Sequence, residues 1–195
     1  MSSELIARAQ QGDHEAFEAL VRPAYDRLAP VARRILRDPD AADDAVQDAL
    51  FHAWRELRGL RDPDRFEAWL GRLLINACRD QARRARRRPI EVPVPESDRP
   101  TTSGGTNWAV ASAPDAAADL AERDALERAF LRLSVDQRAA LVLTHYLGYP
   151  AAEVAAICGV PTGTVYSRLH AGAAAMRAAL TGPPTTTTRT AEHVR

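Results

Sequence analysis

The sequence predicts an all-α fold: two small helical domains joined by a flexible linker, the second built around two short helices and a tight turn. Three observations predict it. Ala and Leu dominate and aromatic residues make up only 6% of the chain, which favours helix over sheet. Apolar residues recur at helical spacing in two separate blocks. Between the blocks, residues 89–118 hold five prolines, a Gly104-Gly105 pair and no periodicity, the pattern of a flexible linker. The boundaries read as 1–88, 89–118 and 119–180, with a Thr-rich tail over 181–195 that has the composition of a disordered segment.

In the first block, Ser3 is expected to cap a short helix and Asp13 a longer one. Phe17, Leu20, Val21, Tyr25, Leu28, Val31, Ala32 and Ile35 line the longer helix, and Pro23 is expected to kink or split it. Asp38-Pro39-Asp40 reads as a turn, followed by a helix to about Arg58. Gly59 and the RDPD of residues 61–64 form a loop, and a further helix runs from Phe66 to about Arg88, ahead of Pro89. In the second block, Leu126, Phe130 and Leu133 line a first helix. Ser134 and Gln137 form a capping box for the next, which Gly148 ends. Pro150 suits a first turn, Gly159 ends the third helix and Pro161 to Gly163 launch the last.

Charge is balanced overall, with 26 basic and 26 acidic residues, so net charge alone marks no nucleic-acid binder. Its distribution is uneven. Residues 38–48 hold five Asp and no base, whereas residues 72–88 hold seven Arg against one Asp. Every basic residue is Arg, a bias that carries no functional weight by itself. Cys78 and Cys158 stand far apart in apolar helical settings and are expected as buried thiols. No Cys/His spacing suits zinc, and no catalytic constellation or cofactor motif stands out, so neither metal, cofactor nor enzymatic activity is expected. No apolar leader or membrane-length run is present, and the expected location is the cytoplasm.

Three surfaces carry functional expectations. On the helix over 40–58, Ala42, Val46, Ala49, Leu50, Ala53 and Leu57 share one face. Asp44, Gln47, Asp48, Phe51 and Arg55 share the opposite one. An apolar anchor ringed by charge is the composition of a protein-docking hot spot, although Phe51 also admits a plain packing role. The helix from Phe66 begins apolar and ends NACRDQARRARRR, a track suited to phosphates or simply to solvent at a helix C-terminus. Phe66 and Trp69 at its start suit either unstacked bases or the core. Residues 149–169, YPAAEVAAICGVPTGTVYSRL, read as a helix-turn-helix. Its core would be Val154, Ile157, Val160, Val165 and Leu169. Thr162, Thr164, Tyr166, Ser167 and Arg168 sit where base edges are read, Arg168 being suited to guanine. The pattern also fits a helical protein-interaction module.

Both blocks, in this order, resemble the extracytoplasmic-function (ECF) sigma factors of bacterial RNA polymerase. DAADDAVQDALFHAW (40–54) is similar to the core-binding helix of that family. FEAWLGRLLINACRDQARR (66–84) is similar to its promoter-melting helix, and residues 133–170 to its promoter-recognition domain. The resemblance implies a transcription initiation factor without catalytic activity. Asp44, Gln47, Asp48 and Phe51, with Arg55, would dock on the clamp helices of the largest polymerase subunit, and the second domain would lie at the flap. Arg61, Arg65, Trp69, Asn76, Arg79, Asp80, Arg83 and Arg84 would capture the minus-ten strand. Thr162, Thr164, Tyr166, Ser167 and Arg168 would read the minus-thirty-five duplex. It also implies core RNA polymerase, promoter DNA and an anti-sigma factor as partners.

The chain departs from the family where Ala171-Gly172-Ala173-Ala174-Ala175 stand in place of the usual basic residues, and at Tyr166, where the family commonly has Lys. Each lost phosphate contact removes about one unit of salt slope, so weak duplex binding by the second domain alone is expected. The rival reading is a stand-alone helix-turn-helix regulator. The acidic face followed by the Arg-rich helix argues against it.

Overall fold

Capping side chains set three of the α-helix starts. The computed structural model describes residues 3–87 and 116–181, with side chains for 3–87 and 124–180, and its regular elements are all helical. α1 (Ser3–Gln10) contains Ser3 as its first residue rather than as a cap. α2 (His14–Leu36) is capped by Asp13, which accepts from the Ala16 amide at 3.0 Å. It runs unbroken through Pro23 and Pro30, so no split occurs at Pro23. The carbonyls deprived of a helical partner belong to residues 19 and 26, both of which are exposed to solvent.

Asp38 caps α3 (Pro39–Glu56) by accepting from the Asp40 and Ala41 amides. Single 3-10 turns at Leu57–Gly59 and Pro63–Arg65 then carry the chain into α4 (Phe66–Arg87). α5 (Ala116–Leu131) begins three residues inside the segment expected as linker. The rest of that segment, and the tail beyond residue 181, lie outside the described residues. α6 (Val135–Leu141) opens on the expected capping box. Ser134 Oγ accepts from the Gln137 amide, and Gln137 Oε1 accepts from the Ser134 amide. The helix does not continue regularly to Gly148: Val142–Tyr146 widen into a π-helical turn. α7 (Ala151–Cys158) ends at Gly159, whose φ of +66° is the left-handed conformation glycine tolerates best. α8 (Thr162–Thr181) follows.

Two buried clusters hold these helices. One lies among α1, α2 and the facing ends of α3 and α4, with Ile6, Leu20, Leu57, Phe66 and Leu70. The other joins Ile35, Val46, Leu74 and Cys78 from the N-terminal half to Leu143, Val154, Ile157 and Val165 from the C-terminal half. The sequence suggested a core for each half; instead α4 is a wall common to both, packing on α3 and on α7. Gly71 lies at this contact, where a Cβ would stand 3.4 Å from Ile157 Cγ2, at van der Waals distance. Both cysteines are buried and free, as expected. Burial pushes the Cys78 thiol up to about 12 and raises that of Cys158, which leaves both as unreactive packing groups.

Candidate docking and nucleic-acid surfaces

The amphipathic pattern of α3 sends Ala42, Val46, Ala49 and Ala53 into the core and leaves Asp44, Gln47, Phe51 and Arg55 exposed. Phe51 is 58% exposed, with the Arg55 guanidinium 5.6 Å from its ring centroid. Leu50 and Leu57 pack inward, which leaves Phe51 as the apolar point of that face. Asp48 lies at its edge and is already engaged. It accepts from Gln81 at 3.4 Å and from Arg84 at 3.3 Å, tying α3 to α4.

The loop before α4 is fixed from behind. The Gln10 side-chain amide donates to the Leu57 and Leu60 carbonyls at 3.0 and 2.7 Å, and Asp62 accepts from the Asp64 amide. This leaves Arg61 and Arg65 exposed on the loop, with Arg65 4.0 Å from Asp62. Phe66 is fully buried, which removes it from the candidates for base stacking. Trp69 is half-buried, its ring 5.9 Å from that of Phe66. Along α4, Asn76, Asp80, Arg83 and Arg84 are exposed, and Arg83 pairs with Asp80. Arg79 is different: its side chain is only 21% exposed. Nη1 donates to Asn76 Oδ1 at 3.0 Å, Nε to Asp136 Oδ1 at 2.8 Å and Nη2 to the Cys158 carbonyl at 3.1 Å.

In the helix-turn-helix, Val154, Ile157 and Val165 are buried, and Val160 and Leu169 are half-buried against them. Thr162, Tyr166 and Ser167 are exposed at the start of α8, Tyr166 at 61%, while Thr164 is half-buried. Ser167 Oγ donates back to the Gly163 carbonyl at 3.0 Å. Arg168 does not point outward. Its side chain is 20% exposed and reaches Asp136 Oδ2 at 3.2 Å. Gly172 is buried, and a Cβ there would meet Leu141 Cδ1 at 3.1 Å. A basic side chain at 172 would therefore meet α6 rather than a phosphate, so this position reflects packing, not a missing contact.

Residues 20–88 match the family model described as Sigma-70 region 2, and residues 123–176 match Sigma-70, region 4. The ECF RNA polymerase sigma factor SigM of Mycobacterium tuberculosis is 37% identical over 167 residues, covering 86% of this chain and 78% of that protein. The chain belongs to the ECF sigma factors. Among solved structures, this sigma factor is similar to CnrH in complex with the cytosolic domain of CnrY. The identity is 29%, the TM-score 0.58, and the match covers 90% of this chain and 94% of the other. It is also similar to the sigma factor RpoE from Bartonella quintana, in complex with the anti-sigma factor NepR. There the identity is 26% and the TM-score 0.59, over 84% of this chain and 96% of the other.

Two charged residues of the sigma factor escaped sequence reasoning. Asp136 drew no role from the sequence, yet it is the carboxylate that joins Arg79 to Arg168. No local pattern signals a pair 57 residues apart. Arg138 lies half-buried at the seam between α2 and α6, donating to the Leu36 carbonyl at 3.5 Å. Burial, then the neighbouring Arg37 and Arg86 charges, lowers its pKa. Among the described residues no His, Cys, Asp or Glu cluster suits a metal, and no helix is long and apolar enough to cross a membrane.

Proposed function

We propose that this sigma factor docks on core RNA polymerase through the outward face of α3 and gives the enzyme its promoter specificity in the cytoplasm, with no chemistry of its own. Phe51, Asp44, Gln47 and Arg55 make the first contact with the clamp helices, and Asp48 braces that face against α4. The single observation that carries this reading is the exposure of Phe51 at the centre of a charged helix face whose other apolar residues are all turned inward.

The minus-ten strand falls to Arg61, Arg65, Trp69, Asn76, Arg79, Asp80, Arg83 and Arg84. Opening a promoter means unstacking a base, at a cost of a few kcal/mol that pocket contacts and phosphate pairing offset. A rigid loop, held by Gln10 and Asp62, suits that task because little ordering remains to be done on binding. The minus-thirty-five duplex falls to Thr162, Thr164, Tyr166, Ser167 and Arg168 at the start of α8. We extend to this chain a further partner of a kind seen with RpoE, an anti-sigma factor.

Run-off transcription tests the assignment. Core polymerase supplemented with this chain should yield discrete promoter-dependent transcripts from genomic fragments, and core alone should not. Equal products with and without the chain would sink the reading.

A further inference from the structure

We infer that Tyr166 and His170 are the base readers of α8, and that Arg168 is a positioning residue that holds the helix against α6 through Asp136. The inference rests on the function proposed above and deepens it, by dividing the roles along the recognition helix. His170, exposed one turn beyond Tyr166, joins the surface through this geometry.

The direction each side chain takes from α8 separates the two roles. The buried Val165 and Gly172 and the half-buried Leu169 define the inward side of the helix. Gly163, Ser167, His170 and Ala174 lie on the opposite side and are all exposed. Tyr166 flanks them and is 61% exposed. At about 100° per residue, Arg168 falls about 120° from the centre of that outward side, on the flank toward α6. Its guanidinium is already committed there. Nη2 stands 3.2 Å from Asp136 Oδ2, and Nη1 is shielded from solvent. Asp136 sits in the first turn of α6, which the Ser134–Gln137 capping box fixes, and its other oxygen accepts from Arg79. Arg168 and Asp136 both belong to the C-terminal half, so this pair does not need α4. An arginine reads guanine through two parallel donors aimed at O6 and N7. With Nη2 on a carboxylate and Nη1 buried, Arg168 has no such fork to offer.

The outward side suits a different chemistry. Ser167 gives its proton to the Gly163 carbonyl at 3.0 Å. Gly163, Ala171 and Ala174 are exposed and small, which lets the backbone come close to the floor of the major groove. Two long side chains rise from this low surface, the Tyr166 phenol and the His170 imidazole. Four residues apart on a helix, their Cβ atoms stand about 5–6 Å from each other. At about 3.4 Å of rise per base pair, that separation addresses two adjacent pairs. Each ring offers a single hydrogen bond to a base edge rather than a fork. A single donor to N7 separates purine from pyrimidine, because both purines carry N7, and does not separate guanine from adenine. The element recognised is therefore a step of two purines, read at N7.

Holoenzyme assembled from core polymerase and the full chain tests this division. The probe is the genomic fragment that gives the strongest run-off transcript, randomised across its minus-thirty-five element, and the fragments that holoenzyme retains are sequenced. Wild type should select purine over pyrimidine at two adjacent positions by about threefold to tenfold each, the scale of one hydrogen bond, and should accept guanine and adenine alike. A 7-deazapurine at either position, which removes only N7, should weaken binding by the same factor. Tyr166→Phe should erase the preference at one position and His170→Ala at the other. Arg168→Ala should lower retention of all sequences alike, leaving the base pattern and the slope of log affinity against log salt unchanged. Asp136→Asn should do the same, and Arg168→Lys, which keeps a charge opposite Asp136, should recover most of the loss. A guanine preference over adenine of more than about tenfold that Arg168→Ala abolishes would overturn the inference. So would Tyr166→Phe and His170→Ala holoenzymes that keep the wild-type pattern. These two residues are exposed, so their variants decide the matter even where Arg168→Ala fails to fold. A wild-type chain that directs no run-off transcription would instead defeat the function on which the inference rests, so the two failures are distinguishable.

Discussion

Phe51→Ala combined with Asp44→Arg lowers affinity for core RNA polymerase by about 100-fold or more, while helix content and thermal midpoint stay near wild type. The expectation follows from where these side chains stand. Phe51 is 58% exposed and Asp44 is exposed, so the free chain loses little packing when they change. A buried aromatic anchor at an interface centre is commonly worth about 2–4 kcal/mol, and reversing a neighbouring charge adds repulsion. Competition binding against labelled wild-type factor reads the effect. Near-equal competition by the double variant would contradict the assignment of α3. Asp48 is a less clean probe, because it also ties α3 to Gln81 and Arg84 of α4, and removing it disturbs both roles at once.

Phe66→Ala should destabilise the chain by about 3–5 kcal/mol, a large share of the roughly 5–15 kcal/mol that holds a folded domain. Phe66 is fully buried in the cluster that joins α1, α2, α3 and α4. It also begins α4, immediately after the loop carrying Arg61 and Arg65. Its loss therefore reaches function as well as stability: the loop, the Trp69 ring and the minus-ten contacts should slacken together. Urea unfolding followed by circular dichroism measures the first effect. Phe66→Leu, which keeps most of the volume, should recover most of it. A Phe66→Ala midpoint indistinguishable from wild type would show that the cluster is not the keystone of the N-terminal half.

Local chemistry was legible in the sequence where one side chain decides one boundary. Asp13 and Ser134 each cap a helix as their positions suggest, and Gly159 takes the left-handed conformation that ends α7; Asp38, read only as part of a turn, caps α3 as well. The amphipathic face of α3 was equally plain, since a period of 3.6 separates Val46 and Ala49 from Phe51 without tertiary information. What sequence could not show depends on neighbours distant in the chain. Pro23 announced a break, yet α2 continues because the carbonyl it orphans lies at the surface. The π-helical turn at Val142–Tyr146 has no composition signal; it brings the Tyr146 ring to 3.7 Å from the Arg34 guanidinium on α2.

The candidate sites divide in the same way. Tyr166 and Ser167, placed by the helix-turn-helix pattern, and Arg61 and Arg65, placed on the loop by the family resemblance, are all exposed. Phe66 was left open between base stacking and the core, and burial decides for the core; Gly172 was misjudged because a missing positive charge was read without knowing what the residue packs against. Arg79 and Arg168 were chosen for their chemistry, and their shared partner Asp136 emerged only once the two halves were seen together.

The most direct test of the central claim is permanganate reactivity of promoter thymines, which reports unpaired bases. With core polymerase and this chain together, thymines around the minus-ten element should become reactive, and Arg79→Ala should suppress that signal. With core alone or the chain alone they should stay protected. Protected thymines in the presence of both components, on every promoter that the chain directs polymerase to occupy, would contradict the account.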